Sequence, residues 1–144
     1  MKLVVIDGQG GGIGKSIVEA VRRENPNWEV IAVGTNVAAT TAMLRAGAHA
    51  GATGENAVVF NCADADVVAG PIGIVFANAM FGEISPTIAA AVSGCRAQKL
   101  LIPVKRCVGA VMGVADKPLS AYFDELCAAL RECEKHCEAR PTLL

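Results

Sequence analysis

Aromatic side chains are scarce: Phe, Trp and Tyr make up 4% of the 144 residues, with one Trp and one Tyr among them. So few rings, beside 15 glycines and many alanines, point to close backbone packing rather than an aromatic-lined cavity. Net charge is scant too. Thirteen Lys+Arg against 14 Asp+Glu leave a formal charge of -1, so no field draws a polyanion to the surface and nucleic acid is not expected as a main partner. Long apolar runs are missing. The uncharged stretch from Val67 to Gly82 is interrupted by Pro71, Gly73 and Asn78, falls short of the roughly 20 residues of a membrane helix, and reads as buried core. Leu3-Val4-Val5-Ile6 after Lys2 is too short for a signal peptide, so the expected location is the cytoplasm, with the six cysteines reduced.

What is present suffices for one compact domain over residues 1–144. A chain of this length buries roughly 68–70% of its unfolded surface without metal or disulfide staples. Leu3 to Ile6 reads as a strand buried on both faces, and Ile13, Ile17, Val18 and Val21 recur at helical spacing until Asn25-Pro26. Val30 to Val33 makes a second strand, and Asn36 caps a helix holding Val37, Thr41 and Leu44 that ends at Gly47. A helix is expected from about Glu55, then a strand within 65–70, a turn at Gly70-Pro71-Ile72-Gly73, and a helix opened by Ser85-Pro86 with Ile88, Val92 and Cys95 on its buried side. Leu100 to Ile102 reads as a strand and Val108 to Val114 as a last, glycine-interrupted one. The closing helix carries Leu119, Tyr122, Phe123, Leu126, Leu130 and Cys133 on one stripe. The alternation predicts an α/β fold: a single three-layer Rossmann-like domain with a mostly parallel sheet.

The chemistry concentrates in Asp7-Gly8-Gln9-Gly10-Gly11-Gly12-Ile13-Gly14-Lys15-Ser16, between the first strand and the first helix. Residues without side chains let a phosphate approach backbone N–H groups, and the helix N-terminus adds about half a positive charge. Lys15 and Ser16 stand where an ammonium and a hydroxyl would reach the same anion. The G-x-G-x-x-G pattern fails, because Ile13 stands in place of its last glycine. Gly14-Lys15-Ser16 fits the end of a P-loop, but Gln9 replaces its first glycine. The stretch also looks somewhat like the variant P-loop of ParA/MinD-like ATPases, whose signature lysine would fall on Gly10.

Gly8-x-x-x-Gly12-Ile13-Gly14 resembles the cofactor loop of short-chain dehydrogenases/reductases. Their Tyr-x-x-x-Lys pair does not carry over, since Leu126 takes the lysine place after Tyr122. The second strand also lacks the terminal acid that would grip an NAD ribose; Gly34-Thr35-Asn36 stands there, leaving NADP, a mononucleotide or another phosphate ester open. Most of the chain is similar to a family of short bacterial proteins, known mainly from anaerobes and described as a domain of unknown function. That resemblance rests on the run from Val5 to Lys15, Gly34-Thr35-Asn36, Gly51 to Ala57, Gly70 to Ile74, Gly82 to Pro86, and Ile102-Pro103. It implies the fold and the weight of these loops, and no substrate.

The expected cofactor site therefore comprises the loop from Asp7 to Ser16 with Thr35, Asn36, Gly70, Pro71, Ile72, Gly73 and Asn78, the run from Gly70 to Gly73 lying near the carboxyl edge where open α/β sheets bind ligands. Asn78 and Glu83 are the polar side chains with reach in an apolar segment. Thr53-Gly54-Glu55-Asn56 reads as a helix cap or a ligand contact, and His49 as non-catalytic. Cys127, Cys133, His136 and Cys137 form no expected metal site, because Cys127 and Cys133 lie about 120° apart on a helix. The expected ligand is NAD(P) or another nucleotide. The alternatives are a non-catalytic sensing or assembly protein and a degenerate P-loop phosphohydrolase. With 53% hydrophobic residues and a mean hydropathy of +0.43, a homodimer is expected, its contact surface between Ile74 and Val92.

Overall fold

The computed structural model describes residues 1–104 and 109–139. The order is β1 (Lys2–Asp7), α1 (Gly12–Glu24), β2 (Glu29–Gly34), α2 (Val37–Arg45), β3 (Ala50–Thr53), α3 (Glu55–Cys62), β4 (Val67–Pro71), a 3-10 turn (Ile72–Val75), α4 (Pro86–Gly94), β5 (Gln98–Ile102) and α5 (Leu119–Glu138). The five strands form one sheet in the order β3-β2-β1-β4-β5, every pairing parallel. The chain winds outward from β1 to β3 and then returns to lay β4 against the other side of β1. The order reverses between β1 and β4, and the crevice at their carboxyl ends is the switch point at which such sheets bind ligands.

β1 explains the layering. Successive side chains point to opposite faces: Leu3 and Val5 pack with Ile17, Val18 and Val21 of α1, Met43 of α2, and Leu126 and Leu130 of α5. Val4 and Ile6 pack with Val58 of α3 and with Ile88 and Val92 of α4. Each full burial stabilises by about 1.5–3 kcal/mol. Trp28 is buried in the first cluster and satisfies its indole N–H on Glu134 Oε1 at 2.6 Å, tying α5 to the β1–β2 side. No helix among the described residues is long and apolar enough to cross a membrane.

The structure departs from the sequence expectations at six places. β3 was not foreseen: Ala50-Gly51-Ala52-Thr53 has no apolar run and is a strand through its register with β2. The expected strand at 108–114 is not found. Val108 lies outside the described residues, and 109–114 is irregular, with a bend at Gly109 and a turn at Met112-Gly113. The buried face of α2 is Ala39, Thr40 and Met43, while Val37 and Leu44 are exposed. Leu119 is exposed rather than on the buried stripe of α5, and Cys95 is only half-buried. Within 67–82, β4 is core, but Ala77, Asn78, Phe81 and Gly82 reach the surface. Cys62, by contrast, is sealed between α3 and α4; burial, with Cys95 beside it, pushes its thiol up to about 12.

Candidate functional site

The glycine loop runs from the end of β1 into α1, and a carboxylate organises it from below. Asp7 is buried; its Oδ1 accepts from Gly8 N–H at 2.7 Å and its Oδ2 from Gly14 N–H at 2.7 Å. α1 has no side-chain cap from its own N-cap residue, Gly11, which sits at φ 71. Asp7 therefore does the capping from the preceding strand, placing negative charge at the positive end of the helix. Burial pushes the Asp7 carboxyl above its ordinary value, the N–H groups of Gly14, Gly8 and Ile13 pull it back, and the Glu83 carboxylate pushes it further up.

Two glycines show what the loop needs. A Cβ on Gly14 would lie 2.6 Å from Met43 Sδ and 2.8 Å from Asp7 Cβ, so this position is glycine to let α1 lie against β1 and α2. Gly12 differs: among the described residues a Cβ there would meet nothing within 4 Å. It opens the first turn of α1, where N–H groups lack intrahelical partners, toward solvent. Gly70 is a packing position as well, since a Cβ on it would lie 2.3 Å from the Ile6 carbonyl oxygen.

The β2–α2 turn joins the loop. Asn36 caps α2 by accepting from Ala39 N–H at 2.9 Å and donates through Nδ2 to the Gln9 carbonyl at 2.9 Å. Glu83, from the segment between β4 and α4, completes the arrangement. Its Oε1 accepts from Gln9 N–H at 3.0 Å, Thr35 Oγ1 at 2.9 Å and Asn36 Nδ2 at 2.7 Å. Burial works against its charge, but the hydrogen bonds from Asn36, Gln9 and Thr35 win and hold it below its ordinary value. Met80, on the same segment, lies over Gly8, where a Cβ would be 2.7 Å from its Sδ.

Of the expected site residues, Asp7 to Gly14, Thr35 and Asn36 thus stand together at the carboxyl ends of β1 and β2, with Gly70 to Gly73 at the end of β4 beside them. Lys15 and Ser16 make their contacts along α1. Lys15 Nζ lies 3.9 Å from Glu19 Oε1 along the helix, and Ser16 Oγ donates back to the Gly12 carbonyl at 3.1 Å. Asn78 is exposed and serves its own loop, donating from its backbone to the Ile84 carbonyl and accepting from Gly82 N–H. Thr53 pairs with Thr40 and Glu55 with Ser85, as structural contacts. His49 Nδ1 accepts from Val30 N–H at 3.0 Å, extending the β2 ladder. The residue the motif reading missed is Glu83, though its polarity within an apolar segment was the signal.

Beyond β4 and β5 lies a cavity of about 620 Å³ lined largely by aliphatic residues, among them Ile72, Pro103, Val111 and Val114, with Tyr122 and Lys117 at its wall. The Tyr122 hydroxyl donates to the Ala115 carbonyl, and Lys117, paired with Glu125, sits over the ring at 4.5 Å from its centroid. Among the described residues no group of three or more His, Cys, Asp or Glu side chains is placed to hold a metal ion.

The chain belongs to the family described as "Domain of unknown function (DUF3842)", whose model matches residues 2–135. Comparison with curated proteins returns no match. Among solved structures it is similar to a "dodecameric FMN-dependent Ubix-like Decarboxylase from Escherichia coli O157:H7", at 18% identity and a TM-score of 0.44, covering 93% of this chain and 76% of that one.

Proposed function

We propose that this member of the family binds a nucleotide, NAD or NADP first among the candidates, at the carboxyl edge of β1, β2 and β4. The observation that carries the reading is Gly12: a side-chain-free position, open to solvent, on the first turn of a helix whose preceding strand borders the switch point of the sheet. The phosphate would lie on the first turn of α1, and the aliphatic cavity next to Ile72 offers room for an organic portion. The chain acts on this reading as one nucleotide-binding domain in the cytoplasm. Mass spectrometry of the small molecule released when native protein is denatured tests it, together with calorimetric titration of NAD, NADP and AMP. Protein that releases no phosphate ester and binds none of the three refutes it.

The P-loop phosphohydrolase reading loses support, because Gln9 and Gly10 stand where the two P-loop patterns place a glycine and a lysine. Short-chain-type reductase chemistry loses support at Tyr122. Its hydroxyl is spent on a backbone carbonyl, and the neighbouring ammonium meets the ring face, not the oxygen. The protein is therefore expected to show no short-chain-type reductase turnover with NADH or NADPH across a carbonyl panel. Cofactor oxidation that disappears in Tyr122→Phe would overturn that expectation.

The homodimer is retained with a narrower interface. Ile74, Ile84, Ile88 and Val92 are buried in their own core, so these four apolar side chains are unavailable for a partner. Phe81 is the large hydrophobic side chain of the segment that is fully exposed, at 101%. A charge at Met80 would test the fold, whereas Phe81→Asp is expected to shift light-scattering mass from dimer to monomer. A wild-type monomer at micromolar concentration would remove the dimer altogether.

A further inference from the structure

We propose that residues 80–83 are a self-closing cover on the glycine loop, latched by the Glu83 carboxylate, and that the anionic group of a ligand takes over the latch's donors when the cover lifts. The proposal rests on the nucleotide-site reading above and adds its regulation. Three donors from two other elements converge on one oxygen of Glu83: the Gln9 peptide N–H, the Thr35 hydroxyl and the Asn36 amide. Uncharged donors converging in this way suit an oxyanion of any origin, whether carboxylate or phosphate. In the closed arrangement the chain supplies that oxyanion itself.

The cover is built to move as a short tip. Ala79 and Ile84 on either side of it are buried and joined by a backbone hydrogen bond, Ile84 N–H to the Ala79 carbonyl at 3.2 Å. Between these anchors, Met80 and Phe81 sit at φ 56 and Gly82 at φ 89. Left-handed backbone is unfavourable for a non-glycine residue, so contacts must hold the tip down. Met80 over Gly8 and against the core, Glu83 on its three donors, and the backbone bonds from Gly82 N–H to Asn78 and from Glu83 N–H to Met80 are the contacts that do so, while the exposed Phe81 side chain contributes none. Electrostatics favour exchange rather than addition. Asp7 and Glu83 already repel across the loop, and a phosphate arriving with Glu83 in place would face both carboxylates. With Glu83 displaced, it faces one.

Titration of NAD and NADP into wild type, Glu83→Gln and Glu83→Ala tests the cover. The apparent affinity of a site that must first open is reduced by the open fraction. Glu83→Ala, shown folded by circular dichroism, is therefore expected to bind about five- to tenfold more tightly than wild type, with Glu83→Gln between them. Equal or weaker binding by Glu83→Ala overturns the proposal, because Glu83 would then be a bystander or a direct ligand contact. Hydrogen exchange provides a readout that needs no ligand. In Glu83→Ala the Gln9 amide and the amide at position 83 are expected to exchange faster, with Asn78 and Ile84 unchanged. If no probe binds any variant, the nucleotide reading fails, and the exchange result still judges the latch: unchanged protection at Gln9 overturns it.

Discussion

Gly12→Val is expected to abolish binding of NAD or NADP, a loss of at least about a hundredfold, which corresponds to about 2.7 kcal/mol, while the fold survives. The two halves of that expectation have separate physical causes. Among the described residues no neighbouring atom outside the helix's own turn lies within 4 Å of a Cβ at this position, and no left-handed backbone is required there, so valine meets no steric obstacle. Replacing glycine in a helical turn even removes some unfolded-chain entropy, so stability should stay within about 1 kcal/mol of wild type. The isopropyl group would instead fill the space over the first turn of α1, where backbone N–H groups must come within hydrogen-bonding distance of a phosphate. Calorimetric titration beside a thermal melt separates the two effects. A folded Gly12→Val that binds as well as wild type would take the loop out of the site.

That Gly12 and not Lys15 carries the test reflects what one dimension of sequence can reveal. The glycine run was legible as a loop because an apolar strand precedes it and an amphipathic helix follows, both defined by local periodicity. Which glycines face ligand space and which face protein was not legible, since Gly14 meets Met43 and Gly70 meets Ile6 across distances set by the assembled sheet. The acid missing from the end of β2 is a sharper case. The carboxylate beside Thr35 and Asn36 comes from Glu83, 48 and 47 residues away, and reaches Gln9 across 74. Only the return of β4 to the side of β1 brings it there. β3 escaped for a related reason: its four small residues have no apolar signature, and their extended form is held by pairing with β2 at the sheet edge. The reverse error at 109–114 arose because Val111, Met112 and Val114 among glycines imitate a strand. Among the described residues nothing pairs with β5 beyond β4.

Gly14→Val should act in the opposite way to Gly12→Val, destabilising the fold before binding can be asked about. Its first added carbon would already lie 2.6 Å from Met43 Sδ, 3.1 Å from Met43 Cγ and 2.8 Å from Asp7 Cβ. The end of a methionine side chain can swing away. Asp7 Cβ cannot, because it is fixed to a central strand and its carboxylate holds the N–H of Gly14 itself at 2.7 Å. Relief must come from α1 moving off β1, which breaks the Asp7 clasp and opens the packing of Ile17 and Val18. Overpacking costs about 1–3 kcal/mol and a buried donor left unpaired about 1–3 more. A loss of about 3–5 kcal/mol follows, or roughly 8–15 °C in Tm for a domain of this size. Coupling to Met43 distinguishes this mechanism from a general intolerance of the loop. In a cycle of Gly14→Ala, Met43→Ala and the double variant, the space vacated at Met43 should admit the alanine methyl, so the double variant loses less stability than the sum of the singles. Strict additivity, within about 0.5 kcal/mol, would show that Met43 is not what requires glycine at this position.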